Sequence, residues 1–140
     1  MDIVSKTVRS KMMSGIKGIN TQPEKFLRSW LHRAGFRFRI HVKHLPGKPD
    51  IVLPRYHAVI LVHGCFWHGH GCALFKWPST RREFWQAKIR ATCERDVRKI
   101  AELKKLGWRV AVLWECELRE NEKPLRELAK WLVERKKVAF

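Results

Sequence analysis

Two cysteines, three histidines and two large aromatic residues lie within ten residues, in the segment from His63 to Cys72. Thiolates and imidazoles are the ligands that zinc prefers, and a free imidazole can act as a general base at neutral pH. Aromatic side chains beside such groups can stack on nucleic-acid bases. The segment therefore offers metal binding, proton transfer and base stacking in one short stretch.

The cysteines in and after this segment predict a structural zinc site. Cys65, His70 and Cys72 supply three ligands from one loop, and Cys116 can supply the fourth because it follows a later buried strand. A Cys3His set is a closed tetrahedral arrangement that leaves no open position for chemistry. Cys93 is a rival fourth ligand, but it falls on the apolar stripe of a predicted helix and is better explained as a core thiol. Reduced cysteines with incidental histidines are the alternative to zinc.

A carboxylate and the other two histidines predict a reactive site. Asp50 begins a buried strand and His63 ends the next, so an antiparallel hairpin would bring them close together. There Asp50 could hold a hard divalent cation with the backbone carbonyl of Val62, and His68 could accept the proton of an attacking water. The plainer interpretations are a strand-start carboxylate for Asp50 and zinc ligation or core packing for the histidines.

Net charge indicates the class of partner. Thirty Lys and Arg against thirteen Asp and Glu give a formal charge of +17, and the basic residues extend from Lys6 to Lys137. The folded domain itself, rather than a tail, is therefore expected to bind nucleic acid; the alternative is a protein that is merely basic. Apolar runs are shorter than the roughly 18–20 residues of a membrane span, and the start lacks a signal peptide's apolar middle. A cytoplasmic protein with no membrane partner is expected.

The hydrophobic pattern predicts an α/β domain in the order α-β-β-β-α-β-α. Helices are predicted over 22–34, 81–106 and 124–136, and strands over 36–40, 50–53, 58–62 and 108–114. Thr21 and Glu24 form a capping-box pattern, and Thr80 is expected to cap the second helix. The apolar stripe of that helix is expected to comprise Phe84, Ile89, Cys93, Val97, Ile100 and Leu103. The helix should return the chain to a parallel neighbouring strand, which places Cys116 at the sheet edge that carries the Cys/His loop.

Several segments together resemble the very short patch repair (Vsr) mismatch endonucleases, within the PD-(D/E)XK nuclease superfamily. They are Arg9-Ser10-Lys11-x-Met13, Leu45-Pro46-Gly47-Lys48-Pro49-Asp50, the run from His63 to Cys72, Arg81-x-Glu83-Phe84-Trp85, Glu94-Arg95-Asp96 and Gly107-Trp108-Arg109-Val110 with Trp114-Glu115-Cys116. The resemblance covers about residues 5–135. The acidic-x-Lys half of the superfamily signature is absent, and Ile60-Leu61-Val62 stands in its place, a departure that Vsr-type enzymes share.

The resemblance implies a restriction-endonuclease-like core, α-β-β-β-α-β, and Mg-dependent nicking of one DNA strand. The nick would fall 5′ to the thymine of a T:G mispair that arises when 5-methylcytosine is deaminated. Asp50 would hold magnesium beside the Val62 carbonyl, and His68 would be the general base. His63 and Glu24 would order water around the metal or orient the histidine, although Glu24 also has an ordinary role in the capping box. Cys65, His70, Cys72 and Cys116 would hold structural zinc.

The resemblance also assigns the DNA contacts. Phe66, Trp67 and Trp85 would wedge into the base stack beside the mispair, although core packing is the alternative for Trp85. Met13 and Ile16 would approach from the minor groove. The chain is thus expected to be a single endonuclease domain over 1–140, with a DNA-contacting arm over 1–19 and a zinc and wedge loop over 64–80. It should act as a monomer on nucleoid DNA, with contacts to other repair proteins left open.

Two other functions fit part of the sequence. A zinc-stabilised DNA-binding module without chemistry explains the charge, the cysteines and the aromatic residues, but it leaves Asp50, His63 and His68 unused. A related nuclease that acts on a different DNA structure would use the same residues on another target.

Overall fold

The computed structural model describes residues 21–65 and 76–134. In chain order its elements are α1 (Gln22–Arg33), β1 (Ile51–Leu53), β2 (Ala58–His63), α2 (Arg82–Lys105), β3 (Arg109–Trp114), α3 (Glu115–Glu120) and α4 (Lys123–Glu134). A single 3-10 turn, Pro54–Tyr56, joins β1 to β2. None of the helices described has the length and apolar character needed to cross a membrane.

The three strands form one mixed sheet in the order β1-β2-β3. β1 runs antiparallel to β2 with Ile51 opposite Ile60, and β2 runs parallel to β3 with His63 opposite Trp114. The expected crossover through a long helix is therefore confirmed. Because β2 and β3 are parallel, the segments that follow them leave from the same edge of the sheet.

Helices cover both faces of this sheet. On one face, α1 and α4 pack their leucines against alternate strand residues; the buried side chains there include Leu27, Leu31, Leu125, Leu128, Leu132, Ile51, Leu53, Ile60 and Leu113. On the other face, Leu103 of α2 packs against Val52, Val59, Leu61 and Val110. Strands buried on both faces need apolar residues at successive positions, which explains the continuous apolar runs in the sequence.

The strand predicted over 36–40 is wrong, and so is the expected α-β-β-β-α-β order. Arg39 alone bridges to Val52, through two backbone hydrogen bonds of 2.8 and 2.9 Å. Two residues later His41 has a φ of 58°. A left-handed residue cannot continue an extended strand, so the pairing ends after one bridge. The observed order is α-β-β-α-β-α-α.

The long helix also departs from its predicted pattern. Its N-cap is Arg81 rather than Thr80, with a left-handed φ of 54° and no side-chain capping bond. Ile89 and Leu103 are buried as expected, whereas Phe84 and Val97 are exposed. The helix therefore contributes less to the core, and its first turn leaves a large aromatic ring accessible.

Arg109, the first residue of β3, ties three parts of the chain together. Its guanidinium donates hydrogen bonds to the carbonyls of Trp131 and Leu132, at 2.9 and 3.0 Å, and to that of Tyr56 at 3.0 Å. It also stacks over the Trp131 ring at 4.5 Å. Carbonyls in the last turn of a helix lack partners within the helix, so Arg109 stabilises the end of α4.

Replacing Arg109 with Met should therefore destabilise the fold. We expect a loss of about 2–3 kcal/mol in the free energy of unfolding, because the half-buried carbonyls of Tyr56, Trp131 and Leu132 lose charge-assisted donors. The matched control is Arg126→Met, which removes an exposed arginine 3.9 Å from Glu122 and should cost no more than about 0.5 kcal/mol. Urea denaturation of both variants measures the difference, and equal losses would contradict this role for Arg109.

Candidate active site

The carboxylate of Asp50 lies at the open end of the β1–β2 hairpin. Its Oδ2 accepts a 2.6 Å hydrogen bond from the backbone N–H of Val62. The proximity predicted from an antiparallel hairpin is thus confirmed for these two residues. The bond crosses from the residue before β1 to the last-but-one residue of β2.

Backbone geometry directs the Val62 carbonyl to the same side. Since Ile51 pairs with Ile60, extending the register places Pro49 opposite Val62. The N–H and C=O of one strand residue leave the strand on the same side, so both groups of Val62 face the end of β1. Proline has no N–H to donate to that carbonyl. The hairpin end therefore presents a carboxylate and a backbone carbonyl on one side of β2.

The loop before Asp50 is held close to α2. Gly47 has a φ of +74°, and a Cβ at this position would lie 2.9 Å from the Cβ of Lys99. Only glycine combines that backbone conformation with so close an approach to the helix. The contact fixes the loop two residues before Pro49.

A second carboxylate reaches the site from α1. Thr21 Oγ1 accepts a 3.5 Å hydrogen bond from the N–H of Glu24, as the capping-box pattern predicts. The Glu24 carboxylate is buried and receives a 3.0 Å hydrogen bond from Arg28, whose side chain is also largely buried. Leu27, between them in sequence, is fully buried in the core and fixes the position of this turn of α1.

Burial raises the pKa of Asp50 from its ordinary 3.8 to about 7. The Val62 N–H acts against the rise, the nearby Glu24 carboxylate adds to it, and the Arg28 guanidinium lowers it. Two carboxylates with one guanidinium leave a local excess of negative charge when both are ionised. Positive charge brought to Asp50 would relieve that excess.

Arg28 is absent from the site residues predicted from sequence. It contacts Glu24 directly and acts electrostatically on Asp50. The signal that could have identified it is its position four residues after Glu24, since side chains at that spacing meet on a helix surface.

His63 and His68 are the other residues predicted for the hairpin end. His63 is buried and packs edge-on against Trp114, with ring centroids 5.0 Å apart. Asp50, Val62 and Glu24 are brought together, and His63 follows Val62 in the chain. Within residues 21–65 and 76–134, no three His, Cys, Asp or Glu side chains are grouped so as to hold a metal ion. His68, the predicted base, lies outside the described residues.

Two of the four predicted zinc ligands are described. Cys65 is fully buried just after β2, and Cys116 is partly buried in α3 just after β3. Cys65 lies two residues past the end of β2, and Cys116 lies two residues past the end of the parallel strand β3. The rival ligand Cys93 lies on α2, where burial and the nearby Asp96 and Glu94 carboxylates raise the pKa of its thiol. The other two predicted ligands, His70 and Cys72, lie outside the described residues.

Of the predicted DNA contacts, only Trp85 is described. It is half-buried in the first turn of α2, edge-on to Phe84 at 5.3 Å and with the Lys88 ammonium 5.8 Å from its ring. The other four, Met13, Ile16, Phe66 and Trp67, lie outside the described part of the chain, as do the arm over 1–19 and most of the loop over 64–80.

Comparison with known proteins identifies the family. The sequence model of the family described as "DNA mismatch endonuclease Vsr" matches residues 1–74. The chain belongs to this family. It is a Vsr-family DNA endonuclease, and the resemblance noted from its motifs is confirmed.

Two relatives agree with this assignment, and one solved structure shares the fold. The chain is 52% identical over 117 residues to "Type II nicking enzyme V.XorIIP" of Xanthomonas oryzae pv. oryzae, covering 84% of this chain and 86% of the relative. It is 51% identical over 122 residues to "DNA mismatch endonuclease Vsr" of Escherichia coli K12, covering 87% and 78%. The catalytic domain of homing endonuclease I-Bth0305I shares the fold, with a TM-score of 0.57 and 21% identity over 83% of this chain and 98% of that one. The α/β architecture is thus consistent with a restriction-endonuclease-like core.

Asp50→Asn should make the metal-free protein more stable above neutral pH. Because the pKa of Asp50 is raised to about 7 in the folded state, the folded protein binds a proton there between about pH 4 and 7 that the unfolded chain releases. The stability of the wild-type protein should therefore fall as pH rises through this window, and that of the variant should not. We expect a melting temperature for Asp50→Asn about 5 °C above wild type at pH 8 and near wild type at pH 4.

The control for this measurement is Glu127→Gln, which removes an exposed carboxylate on α4. Both variants are melted in EDTA at each pH. A gap between Asp50→Asn and wild type that stays constant with pH would contradict the raised pKa.

Proposed function

We propose that this endonuclease nicks one DNA strand 5′ to the thymine of a T:G mispair formed by deamination of 5-methylcytosine. The observation that carries the proposal is the Asp50–Val62 hydrogen bond at the hairpin end, with Glu24 beside it, in a Vsr-family chain. Nicking and mismatch recognition are named for its relatives, and the net charge of +17 favours a polyanionic substrate.

Magnesium fits the donor set at the hairpin end. Hard divalent cations take carboxylate and carbonyl oxygens, and Asp50 and Val62 direct both kinds to one side. The charge balance adds support, since Asp50 and Glu24, when both are ionised, carry more negative charge than Arg28 alone can balance. When bound, magnesium would polarise the scissile phosphodiester and offset the charge that develops on it.

The chain's own residues would orient and accept protons. Arg28 holds the Glu24 carboxylate in place, and Glu24 can accept a hydrogen bond from water beside Asp50. His68, three residues past Cys65, would accept the proton of the attacking water on an imidazole nitrogen. His63, packed against Trp114, would order water or orient His68.

Wedging of aromatic rings would select the mispair. Unstacking a base step costs a few kcal/mol and is cheapest at a mispair, and stacking on an aromatic ring returns about 1–3 kcal/mol per base. Phe66, Trp67 and Trp85 would provide the rings, and Met13 and Ile16 would contact the minor groove. The partly accessible position of Trp85 beside Phe84 supports this role over core packing.

Zinc would fix the loop over 64–80 and so position His68. Cys65, His70, Cys72 and Cys116 would be its ligands. The support is the placement of Cys65 and Cys116 at matching positions after two parallel strands. The whole chain over 1–140 would then act as a single domain.

A non-catalytic DNA-binding module is the alternative from another class. It needs no buried pair of carboxylates, and burying Asp50 next to Glu24 lowers stability near neutral pH. A related nuclease with a different target is the second alternative.

Asp50→Ala should abolish nicking and leave DNA binding intact. Loss of a metal ligand removes several kcal/mol of transition-state stabilisation, which corresponds to a rate loss of about 10³-fold or more. The assay measures nicking of two oligonucleotide duplexes that differ only in carrying a T:G or a C:G pair, with and without Mg²⁺. An electrophoretic mobility shift measures binding to the same duplexes. Glu127→Ala, an exposed carboxylate on α4, is the control and should nick like wild type.

The same assay separates the alternatives. No cutting of either duplex by the wild-type protein with Mg²⁺ would support the binding module. Equal cutting of the T:G and C:G duplexes would support a nuclease with a different target.

Cys116→Ser should remove zinc, and Cys93→Ser should not. The purified wild-type protein is expected to contain about one zinc per chain by elemental analysis, because a Cys3His set binds one ion. Cys93→Ser removes one thiol from the same chain and is the matched control. A folded wild-type protein without zinc, or equal zinc loss in both variants, would contradict the assigned ligands.

A further inference from the structure

Aromatic and cationic side chains cluster at the start of α2. Arg82 lies over the Trp77 ring at 5.5 Å, and Arg81 lies over the Phe84 ring at 4.4 Å. Lys88, one turn further along the helix, lies 5.8 Å from the Phe84 ring. We call these five residues, Trp77, Arg81, Arg82, Phe84 and Lys88, the cation–aromatic surface.

This surface is accessible and strongly positive. Trp77 is 37% exposed and Phe84 is 44% exposed, and both arginines are exposed. Between positions 76 and 90 the sequence has five Lys or Arg residues and one acidic residue, Glu83. Phenylalanine and tryptophan side chains are usually packed into the protein core. Here they lie under guanidinium groups at the surface.

The backbone of Arg81 is in an uncommon conformation. Its φ of 54° is left-handed, a conformation that costs a non-glycine residue about 1 kcal/mol or more. The same residue stacks its guanidinium on Phe84 at the shortest ring distance in the cluster. Strained backbone positions cluster at functional sites, which supports a role for Arg81 beyond packing.

We propose that the cation–aromatic surface, which lies beside Trp85 at the start of α2, binds phosphate groups of one DNA strand. A guanidinium stacked on a ring keeps its N–H edge available for bidentate bonding to phosphate. Because the rings already restrict both arginines, less side-chain entropy is lost when phosphate binds. The surface contacts the sugar-phosphate backbone of the DNA, and such contacts do not distinguish one base from another. The inference rests on the proposed function only in taking duplex DNA as the ligand.

The first test is the salt dependence of binding to a matched C:G duplex. Each phosphate contact contributes about 0.9 to the slope of log K against log salt, so Arg81→Ala and Arg82→Ala should each reduce that slope by about 0.9. Arg98→Ala is the control, since Arg98 is exposed on the same helix about 25 Å further along. It should leave the slope near wild type. A reduction as large for Arg98→Ala would overturn the proposal, because it would indicate a general effect of net charge.

The second test changes no charge. Phe84→Leu keeps an apolar side chain but removes the ring face under Arg81, so affinity for the same duplex should fall about 2- to 5-fold. Unchanged affinity would contradict the orienting role of the rings.

Arg81→Gly separates binding from folding. Glycine adopts a φ of 54° without strain, so the free energy of unfolding should stay at or above that of wild type while the salt slope falls. An unaltered slope in this variant would overturn the proposal. A wild-type protein that does not prefer T:G over C:G would instead count against the proposed function, and the slopes on matched DNA would still decide this inference.

Discussion

The arrangement of the candidate site depends on how the β1–β2 ladder ends. Pro49 occupies the register position opposite Val62 and has no N–H, so the backbone pairing cannot continue. The N–H of Val62 is satisfied by the Asp50 carboxylate instead, at 2.6 Å. A buried N–H without a partner costs about 1–3 kcal/mol, so this bond offsets part of the cost of burying Asp50. One interaction thus ends the β1–β2 ladder and positions the Asp50 carboxylate.

Helix α1 contributes to packing and to the site through the same turns. Leu27 and Leu31 are fully buried against the sheet, and this contact sets the rotation of the helix. Glu24 and Arg28, one turn apart, are thereby directed to the hairpin end. Because the leucines fix the carboxylate and its counter-charge together, a change in core volume under α1 would alter the electrostatics at Asp50.

The sequence alone predicted the structure correctly where the local residue pattern and the tertiary packing agree. The bounds of α1, the hairpin and the parallel crossover followed from periodicity, and the closeness of Asp50 to Val62 followed from antiparallel pairing. The strand over 36–40 failed because alternation does not specify a partner, and His41 turns the chain away after one bridge. Arg109 joins segments distant in sequence, and no local pattern indicates such a contact. The left-handed φ of Arg81 and the exposure of Phe84 have no signal in residue type or periodicity.

The close contact between Gly47 and Lys99 has a mechanical consequence. Lys99 lies on the helix that carries Lys88 eleven residues earlier, about 16 Å away along a continuous rod. The start of α2 and the loop that leads into Pro49 and Asp50 are therefore spaced by one continuous helix and the contact at Gly47. A side chain at position 47 would push the loop and the helix apart, and it would thereby change the spacing between Asp50 and the residues at the start of α2.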